Sequence, residues 1–380
     1  MSQIAVVTGD NHLQPCVWSR HPDMREDTYV SFRQIVDYCC EHMLPLFLLG
    51  DIFDRQNPDA LSVSFFMQQM ERMRAAGLAV RFVQGNHDLS TPAWPLLSPG
   101  VEKADRFAMN GITFQGIDFT HKQQLQSRIS ECFADAGKVD VVLAHQAWAE
   151  IQGIGHVDGS FSLFPYSLTL LTGDYHVTGM FVGEAADGGV VTAWSPGSTA
   201  MQAINERPNK SFYVLHDDLS MSAVPIETRP FSSMSVTSED ELNSFIAGAA
   251  DLLASVPAVR FPEISKPILS VSYFDSIPEA ASRLFAAFGH STHLFLRVLS
   301  SDVTNVVDVE NVRSDAFDDL SSAIATLCGN SPLVRDDAAY LLTSFKQGQL
   351  TAAGVSELFE FLKHRFEEVT PNDDNARPTC

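Results

Sequence analysis

Short apolar runs that end in polar residues recur through the first part of the chain. They span 4–10, 45–51 and 78–88, and each closes on a Gly-Asp or Gly-Asn step. Runs of this length predict buried strands that deliver a polar side chain at their carboxyl end. Apolar residues at helical spacing occupy 26–44 and 59–76, and Gly77 is placed to end the second helix. Strands alternating with helices predict a layered α/β fold.

A second group of short elements follows Leu97. We expect a strand at 111–118, a helix at 120–136 and a strand at 139–145. Strand-like stretches then continue, at 171–181, 189–201, 211–218 and 220–231. This order predicts a second sheet of shorter antiparallel strands, packed face to face with the first sheet and flanked by helices.

The remaining chain divides into smaller segments. The polar run 231–238 predicts a boundary, and Ser238 resembles the first residue of a capping box ahead of a helix at 239–255. Strands at 267–274 and 292–300 around a helix at 278–288 predict a small α/β module. Apolar residues at helical spacing then indicate a helical segment. We therefore expect domains at 1–231 and 238–301, a helical segment at 312–368 and a disordered tail at 369–380.

Composition limits the functional classes. The chain has 380 residues, of which 45% are hydrophobic and 19% are charged, which excludes a disordered protein. Its six cysteines form no CxxC pair, so we expect reduced thiols in a cytoplasmic protein without a targeting peptide. No apolar run approaches the roughly 18 residues of a membrane span. The net charge of −22 opposes a broad nucleic-acid surface, so any DNA contact must be local, metal-centred or supplied by a partner.

Five strand ends carry residue types that bind metals. A lone histidine at a strand end is more often structural, and Gly-Asp is a common turn signal, so each group alone is weak. Their order and their placement after apolar runs carry the prediction. Imidazole with carboxylate suits Mn, Fe or Zn rather than Ca, and a bridging carboxylate would hold two ions about 3.5–4 Å apart. The groups are Asp10 with His12, Asp51 with Asp54, Asn86 to Asp88, His145, and Asp174 with His176.

The motifs DxH, GDxxD, GNHD, a lone His and a closing Gly-x-x-His resemble the calcineurin-like metallophosphoesterase superfamily over residues 4–216. The resemblance implies a four-layer α/β-β/α sandwich with two divalent metal ions. It further implies a role for each matching residue. Asp10, His12 and His176 would hold the first ion, Asn86 and His145 the second, and Asp51 would bridge them. His87 would meet the phosphate or protonate the leaving oxygen, with Asp88 orienting His87.

The closing motif departs from the family pattern. It usually reads Gly-His-x-His, whereas this chain has Gly173, Asp174, Tyr175 and His176. We expect Asp174 to replace the first histidine as an oxygen ligand, which favours Mn, with Mg, Fe and Zn as alternatives. The competing interpretation makes Asp174 a turn residue beside a weakened second site.

Within the superfamily, the chain most resembles the SbcD-type nuclease subunit, including bacteriophage members. The segments 195–199 and 228–231, the small module after them and the helical segment at the end carry this resemblance. It implies a metal-dependent DNA exo/endonuclease for recombination, repair or replication, in the cytoplasm (the host cytoplasm for a phage protein). It also implies a homodimer and an SbcC-type coiled-coil ABC ATPase partner. The ATPase would dock on Leu358, Phe359, Leu362 and Phe366, unless that apolar face packs on its own domain.

Other interpretations stay open. A small-molecule or nucleotide phosphodiesterase of the same superfamily fits the net charge of −22. A non-catalytic scaffold is a third hypothesis, which the complete set of motifs opposes. Trp18, His21 and Arg25 are candidates for DNA contact, although the sequence favours a surface loop that carries an aromatic residue.

Overall fold

The computed structural model describes residues 2–18, 21–134, 137–152 and 157–299. The helices are α1 (Asp27–His42), α2 (Ala60–Ala75), α3 (Lys122–Ala134), α4 (Ala149–Gln152), α5 (Glu239–Ala247), α6 (Ala249–Ala254) and α7 (Ala280–Phe288). The strands are β1 (Gln3–Thr8), β2 (Leu46–Leu49), β3 (Val80–Val83), β4 (Val101–Lys103), β5 (Arg106–Met109), β6 (Ile112–Ile117), β7 (Val141–His145), β8 (Leu168–Gly173), β9 (Gly179–Glu184), β10 (Val190–Ser195), β11 (Lys210–His216), β12 (Met221–Ile226), β13 (Phe231–Val236), β14 (Ile268–Phe274) and β15 (His293–Leu299). The helical segment at 312–368, the tail at 369–380 and the proposed docking residues lie outside the described residues.

The first sheet has the strand order β12-β11-β1-β2-β3-β4. Strands β1 to β4 run parallel, while β11 is antiparallel to both β1 and β12. Every residue of β2 is buried, as expected for a parallel strand that is covered on both faces. Helices α1 and α2 cover the outer face through Phe32, Ile35, Phe66 and Met70.

The second sheet corrects one prediction. Its order is β5-β6-β7-β8-β10-β9, and β6, β7, β8 and β10 run parallel. Only the edge strands β5 and β9 are antiparallel to their neighbours. The expected sheet of antiparallel strands is therefore wrong, because α3 makes the crossover that a parallel β6–β7 pair requires. Strands β11 and β12, which we assigned to this sheet, instead extend the first sheet beside β1.

The two sheets pack against each other and form the central core. Val7 and Leu49 of the first sheet meet Phe114, Leu143 and Leu171 of the second. A separate apolar cluster under α3 covers the outer face of the second sheet, with Leu125 and Ile129 at its centre. The result is the predicted four-layer α/β-β/α sandwich, which is confirmed. Within the described residues, no helix combines the length and apolar character needed to cross a bilayer.

The small module is a parallel sheet of order β13-β14-β15 with α5, α6 and α7. The polar run that predicted a boundary contains the strand β13, so the module begins at Phe231. The helix expected at 239–255 is interrupted at Gly248, which ends α5 and precedes α6. Leu242, Val271, Leu284 and Phe288 form the apolar core of the module.

Arg229 ties the module to the sandwich. Its Nε donates to Asp27 of α1 at 2.9 Å, and its Nη1 and Nη2 donate to the carbonyl oxygens of Lys266 (2.8 Å) and Glu263 (3.0 Å). Trp18 and His21 pack on Phe295 of β15, with ring centroids 5.1 and 4.2 Å apart. These contacts favour the structural interpretation of the two residues over direct DNA contact.

A buried histidine makes this junction sensitive to acid. His293 is 3% exposed, and its Nε2 accepts a hydrogen bond of 3.2 Å from Arg229. Burial, reinforced by Arg229, lowers the pKa of His293 from 6.5 to about 4. Because the folded state requires the neutral ring, the stability contribution is complete above pH 6.5 and is lost as the pH falls towards 4.

When the pH is lowered from 6.5 to 4, we expect the free energy of unfolding to fall by about 2 kcal/mol more in the wild type than in His293→Gln. Glutamine can still accept the bond from Arg229 but cannot titrate. Urea unfolding at a series of pH values, followed by circular dichroism, measures the difference. Identical pH dependence of the two proteins would contradict the assignment.

Candidate metal centre

The predicted metal ligands meet where strands of both sheets end. They lie after β1 (Asp10, His12), after β2 (Asp51), after β3 (Asn86), at the end of β7 (His145) and after β8 (Asp174, His176). The first two loops are bonded to each other through their backbones. The N–H of Asp10 donates to the carbonyl of Gly50 at 3.1 Å, and the N–H of His12 donates to that of Asp51 at 3.0 Å. The five strand ends are therefore brought together as the sequence predicts.

Four of these ligand candidates have a left-handed backbone. The φ angles are 48° at Asp10, 44° at His12, 51° at Asp51 and 83° at Asp174. Non-glycine residues rarely adopt this conformation, and each costs on the order of 1 kcal/mol. Such strain persists only where surrounding contacts hold it, and it concentrates at functional sites. This clustering indicates that the loop conformations serve to direct these side chains into the site.

The motif glycines allow the loops to approach each other. Gly50 has a φ of 85°, and a Cβ there would overlap His145 Nδ1 and the backbone of Gly85. A Cβ on Gly85 would overlap the carboxylate of Asp51. Glycine is needed at both positions because neighbouring atoms occupy the space of a side chain.

The first group consists of Asp10, His12 and His176. Their ligand atoms lie within 4.8 Å of one another, and His12 Nε2 is 3.2 Å from His176 Nε2. Asp10 is fully buried and His12 is 4% exposed. Burial raises the pKa of Asp10 to about 6 and lowers the pKa of His12 to about 3. Two imidazoles and a buried carboxylate facing one point are a suitable donor set for a divalent cation.

The second group surrounds His145, which is fully buried. Its Nε2 lies 2.9 Å from Asn86 Oδ1, 3.5 Å from Asp51 Oδ1 and 3.6 Å from Asp174 Oδ1. Its Nδ1 is held by the carbonyl oxygen of Leu49 at 2.7 Å. Asp174 therefore faces this group, in the place where the resemblance expected a histidine, and its backbone N–H donates to Asp10 at 3.1 Å.

Asp51 stands between the two groups. Its Oδ1 faces His145, and its Oδ2 lies 3.8 Å from His12 Nε2. Burial opposes ionisation of this carboxyl, yet His145 and His12 together hold its pKa below the usual range. A carboxylate with one oxygen directed at each group has the geometry that a bridging ligand requires.

His87 lies at the open side of the site, but the predicted role of Asp88 is wrong. The ring Nδ1 of His87 is held by the backbone carbonyl of Asp54, and its Nε2 lies 4.0 Å from Asp51 Oδ2. Asp88 instead accepts hydrogen bonds from the backbone N–H groups of Gly85 (3.1 Å) and Ile52 (3.4 Å). Burial raises the pKa of Asp88 to about 7. Its carboxyl shapes the loop and does not orient the ring.

Sequence reasoning missed the groups behind the ligands. Glu206 accepts a hydrogen bond from His176 Nδ1 at 3.0 Å, and Lys210 donates to Glu206 at 2.7 Å. Both residues occur after the last metal-ligand motif, in a polar loop and at the start of β11. Their four-residue spacing was the only signal, and it does not indicate which ligand they contact.

Three comparisons found known proteins that are similar to parts of this chain. Residues 5–179 match the family model for calcineurin-like phosphoesterases. A segment of 87 residues, 23% of this chain, is 33% identical to the uncharacterized metallophosphoesterase YhaO of Bacillus subtilis (strain 168), and it spans only 21% of that protein. The crystal structure of TT1561 of Thermus thermophilus aligns with 60% of this chain and 100% of its own, at 11% identity and a TM-score of 0.37.

The family match and the relative support the calcineurin-like metallophosphoesterase superfamily for this part of the chain. That family implies a hydrolase that acts on phosphoester bonds and depends on two metal ions. The Asp/His groups described above are possible sites for such ions.

Proposed function

We propose that this protein is an SbcD-type, metal-dependent DNA exo/endonuclease. The observation that carries the choice of a polymeric substrate is the openness of the site. The side chains of His87 and His176 are 39% and 33% exposed, although His145 beside them is fully buried. Small-molecule sites are usually concave and enclose the ligand. A phosphodiester in the middle of a DNA strand can reach these exposed ligands directly. The ends of the DNA strand do not have to pass through a pocket.

The proposed ligand assignment follows the two groups. Asp10, His12 and His176 would hold one ion, Asn86, His145 and Asp174 would hold the other, and Asp51 would be available to both. Ions held there would supply Lewis-acid chemistry that polarises a phosphoryl group and activates water as a nucleophile. The added carboxylate of Asp174 favours Mn over Zn. His87, held by the carbonyl of Asp54, is placed to donate a proton to the departing oxygen.

The small module is proposed to extend the DNA surface. It packs on the loop that follows Asp10 and His12 through Phe295 against Trp18, and Arg229 links it to Asp27 of α1. With a net charge of −22, the molecule offers the DNA backbone little electrostatic attraction. The metal centre must therefore supply much of the binding free energy. An SbcC-type ATPase, a homodimer and a role in recombination, repair or replication are further parts of this proposal, and they rest on the sequence resemblance.

The second candidate is a small-molecule or nucleotide phosphodiesterase of the same superfamily. The acidic net charge is the observation that favours it, because a small substrate needs no extended cationic surface.

A cleavage assay separates the two functions. We expect the purified protein with Mn²⁺ to cut end-labelled duplex DNA, and a chelator to abolish the cutting because the donor groups then lose their ions. Bis(p-nitrophenyl) phosphate serves as the small diester in parallel reactions. Fast hydrolysis of that diester without DNA cleavage, both alone and with a coiled-coil ATPase recovered by pull-down from the host, would favour the second candidate.

A further inference from the structure

A buried cluster of charged and polar groups lies directly behind His176. Glu206 uses its Oε1 to accept from His176 Nδ1 at 3.0 Å. Its Oε2 accepts from three donors, namely Lys210 Nζ (2.7 Å), Ser198 Oγ (3.1 Å) and the backbone N–H of Gln202 (3.1 Å). Lys210 is 5% exposed, Ser198 is fully buried and the Glu206 side chain is 16% exposed, so most of the cluster is shielded from water.

His176 differs from His145 and His87 in what holds its ring. The Nδ1 atoms of His145 and His87 are held by backbone carbonyls, of Leu49 and Asp54 respectively. Those carbonyls can only accept, so they favour the tautomer with its proton on Nδ1 and a free lone pair on Nε2. His176 is partner to a side chain instead, and with 33% of its own side chain exposed it has little packing to fix its rotation.

We propose that Glu206 is a positioning residue that sets the tautomer and rotation of His176 and thereby the affinity of the first group for its metal ion. This inference rests on the proposed metal assignment. An ionised carboxylate is acceptor-only, so it favours the proton on Nδ1. The lone pair of Nε2 then points towards His12 Nε2, 3.2 Å away, and the ion that both would share.

Lys210, Ser198 and Gln202 make this arrangement specific. All three direct donors at Oε2, which leaves Oε1 for the histidine. Lys210 also compensates the buried charge of Glu206, which would otherwise be costly.

Glu206→Gln tests the assignment while preserving shape. A glutamine side chain has a single oxygen, and the three donors that surround the Oε2 position need that oxygen as their acceptor. The amide NH₂ must then face His176 Nδ1, which has to accept. The imidazole proton moves to Nε2 and removes the lone pair that would bind the ion.

We expect Glu206→Gln to weaken Mn²⁺ binding by about 10–100-fold at one of two sites, measured by titration calorimetry of the full chain. The matched control is Glu102→Gln, which makes the same change in a carboxylate of β4 that is 66% exposed and pairs with Arg81. Its Mn²⁺ affinity should stay within about threefold of wild type. Unchanged Mn²⁺ affinity of a folded Glu206→Gln would overturn the inference, whereas a wild type that binds no metal would overturn the proposed function instead.

A spectroscopic measurement keeps the inference testable even if the variant fails to fold. Long-range ¹H–¹⁵N spectra of histidine-labelled, metal-free wild type at about pH 9 report the tautomer of each neutral ring. The His176 signals are identified by their loss in His176→Asn. We expect the proton on Nδ1 in the wild type and on Nε2 in Glu206→Gln. A wild-type His176 with its proton on Nε2 would refute the role of Glu206.

Discussion

Replacing Asp51 with asparagine is expected to lower the rate of phosphodiester hydrolysis by about 10³-fold or more. The carboxylate directs one oxygen at each ligand group, 3.5 Å from His145 Nε2 and 3.8 Å from His12 Nε2. Asparagine offers a single oxygen and no charge, so only one group can keep its shared ligand. We also expect the metal content to fall from two ions per chain to one or none. Elemental analysis after dialysis and kcat/KM on duplex DNA measure the two effects.

Asp37→Asn is the matched control for this substitution. It removes a partly exposed carboxylate on α1 that pairs with Arg72, away from the site. Its metal content and activity should equal those of the wild type. An Asp51→Asn protein with two ions and wild-type activity would exclude the bridging role.

His87→Ala is expected to lower kcat on DNA by about 10²–10³-fold and to leave the metal content unchanged. The ring belongs to neither of the two proposed ligand groups, although it lies within 4.8 Å of ligand atoms of His12 and Asp54. Its Nε2 is 4.0 Å from Asp51 Oδ2, and 39% of the side chain is exposed. Its loss should matter most where the departing oxygen is a poor leaving group that needs a proton. We therefore expect a much smaller loss on bis(p-nitrophenyl) phosphate, because p-nitrophenolate departs without protonation.

The comparison of two substrates separates proton donation from other roles of His87. Equal losses on DNA and on the activated diester would indicate that the ring binds the phosphate and does not protonate the leaving oxygen. Manganese-dependent cleavage of duplex DNA at the wild-type rate would refute both roles. His42→Ala, which removes an exposed histidine in the last turn of α1, is the control and should have no effect.

The strand ends could be predicted because each is marked by a local pattern, an apolar run followed by polar residues. The runs before Asp10 and Asp51 are largely apolar, and the run before Asn86 is interrupted by Arg81. Each run forms a parallel strand that is mostly buried. The carboxyl ends of parallel strands meet at one edge of a sheet, so ligand-type residues placed there were expected to converge. The four-layer sandwich followed from the same alternation of strands and helices.

The second sheet could not be predicted correctly for a physical reason. An apolar run such as that of β8 predicts a buried strand. It does not indicate whether the neighbouring strand runs parallel or antiparallel to it. Strand β11 likewise contains nothing that distinguishes the edge beside β1 from an edge of the other sheet. Pairing depends on crossover connections and on the free sheet edges of the folded chain.

The sequence by itself determined which chemical groups this protein brings to its centre and in what order the strands deliver them. Only the tertiary structure decided what holds those groups. In the folded chain, Asp174 lies beside His145 and Asp51 directs one oxygen at each ligand group. Asp88 bonds to backbone N–H groups and not to the His87 ring. Glu206 contacts His176 from behind the site. These contacts join residues that are mostly far apart in the chain, and hydrogen bonding between them depends on loop paths that local periodicity does not encode.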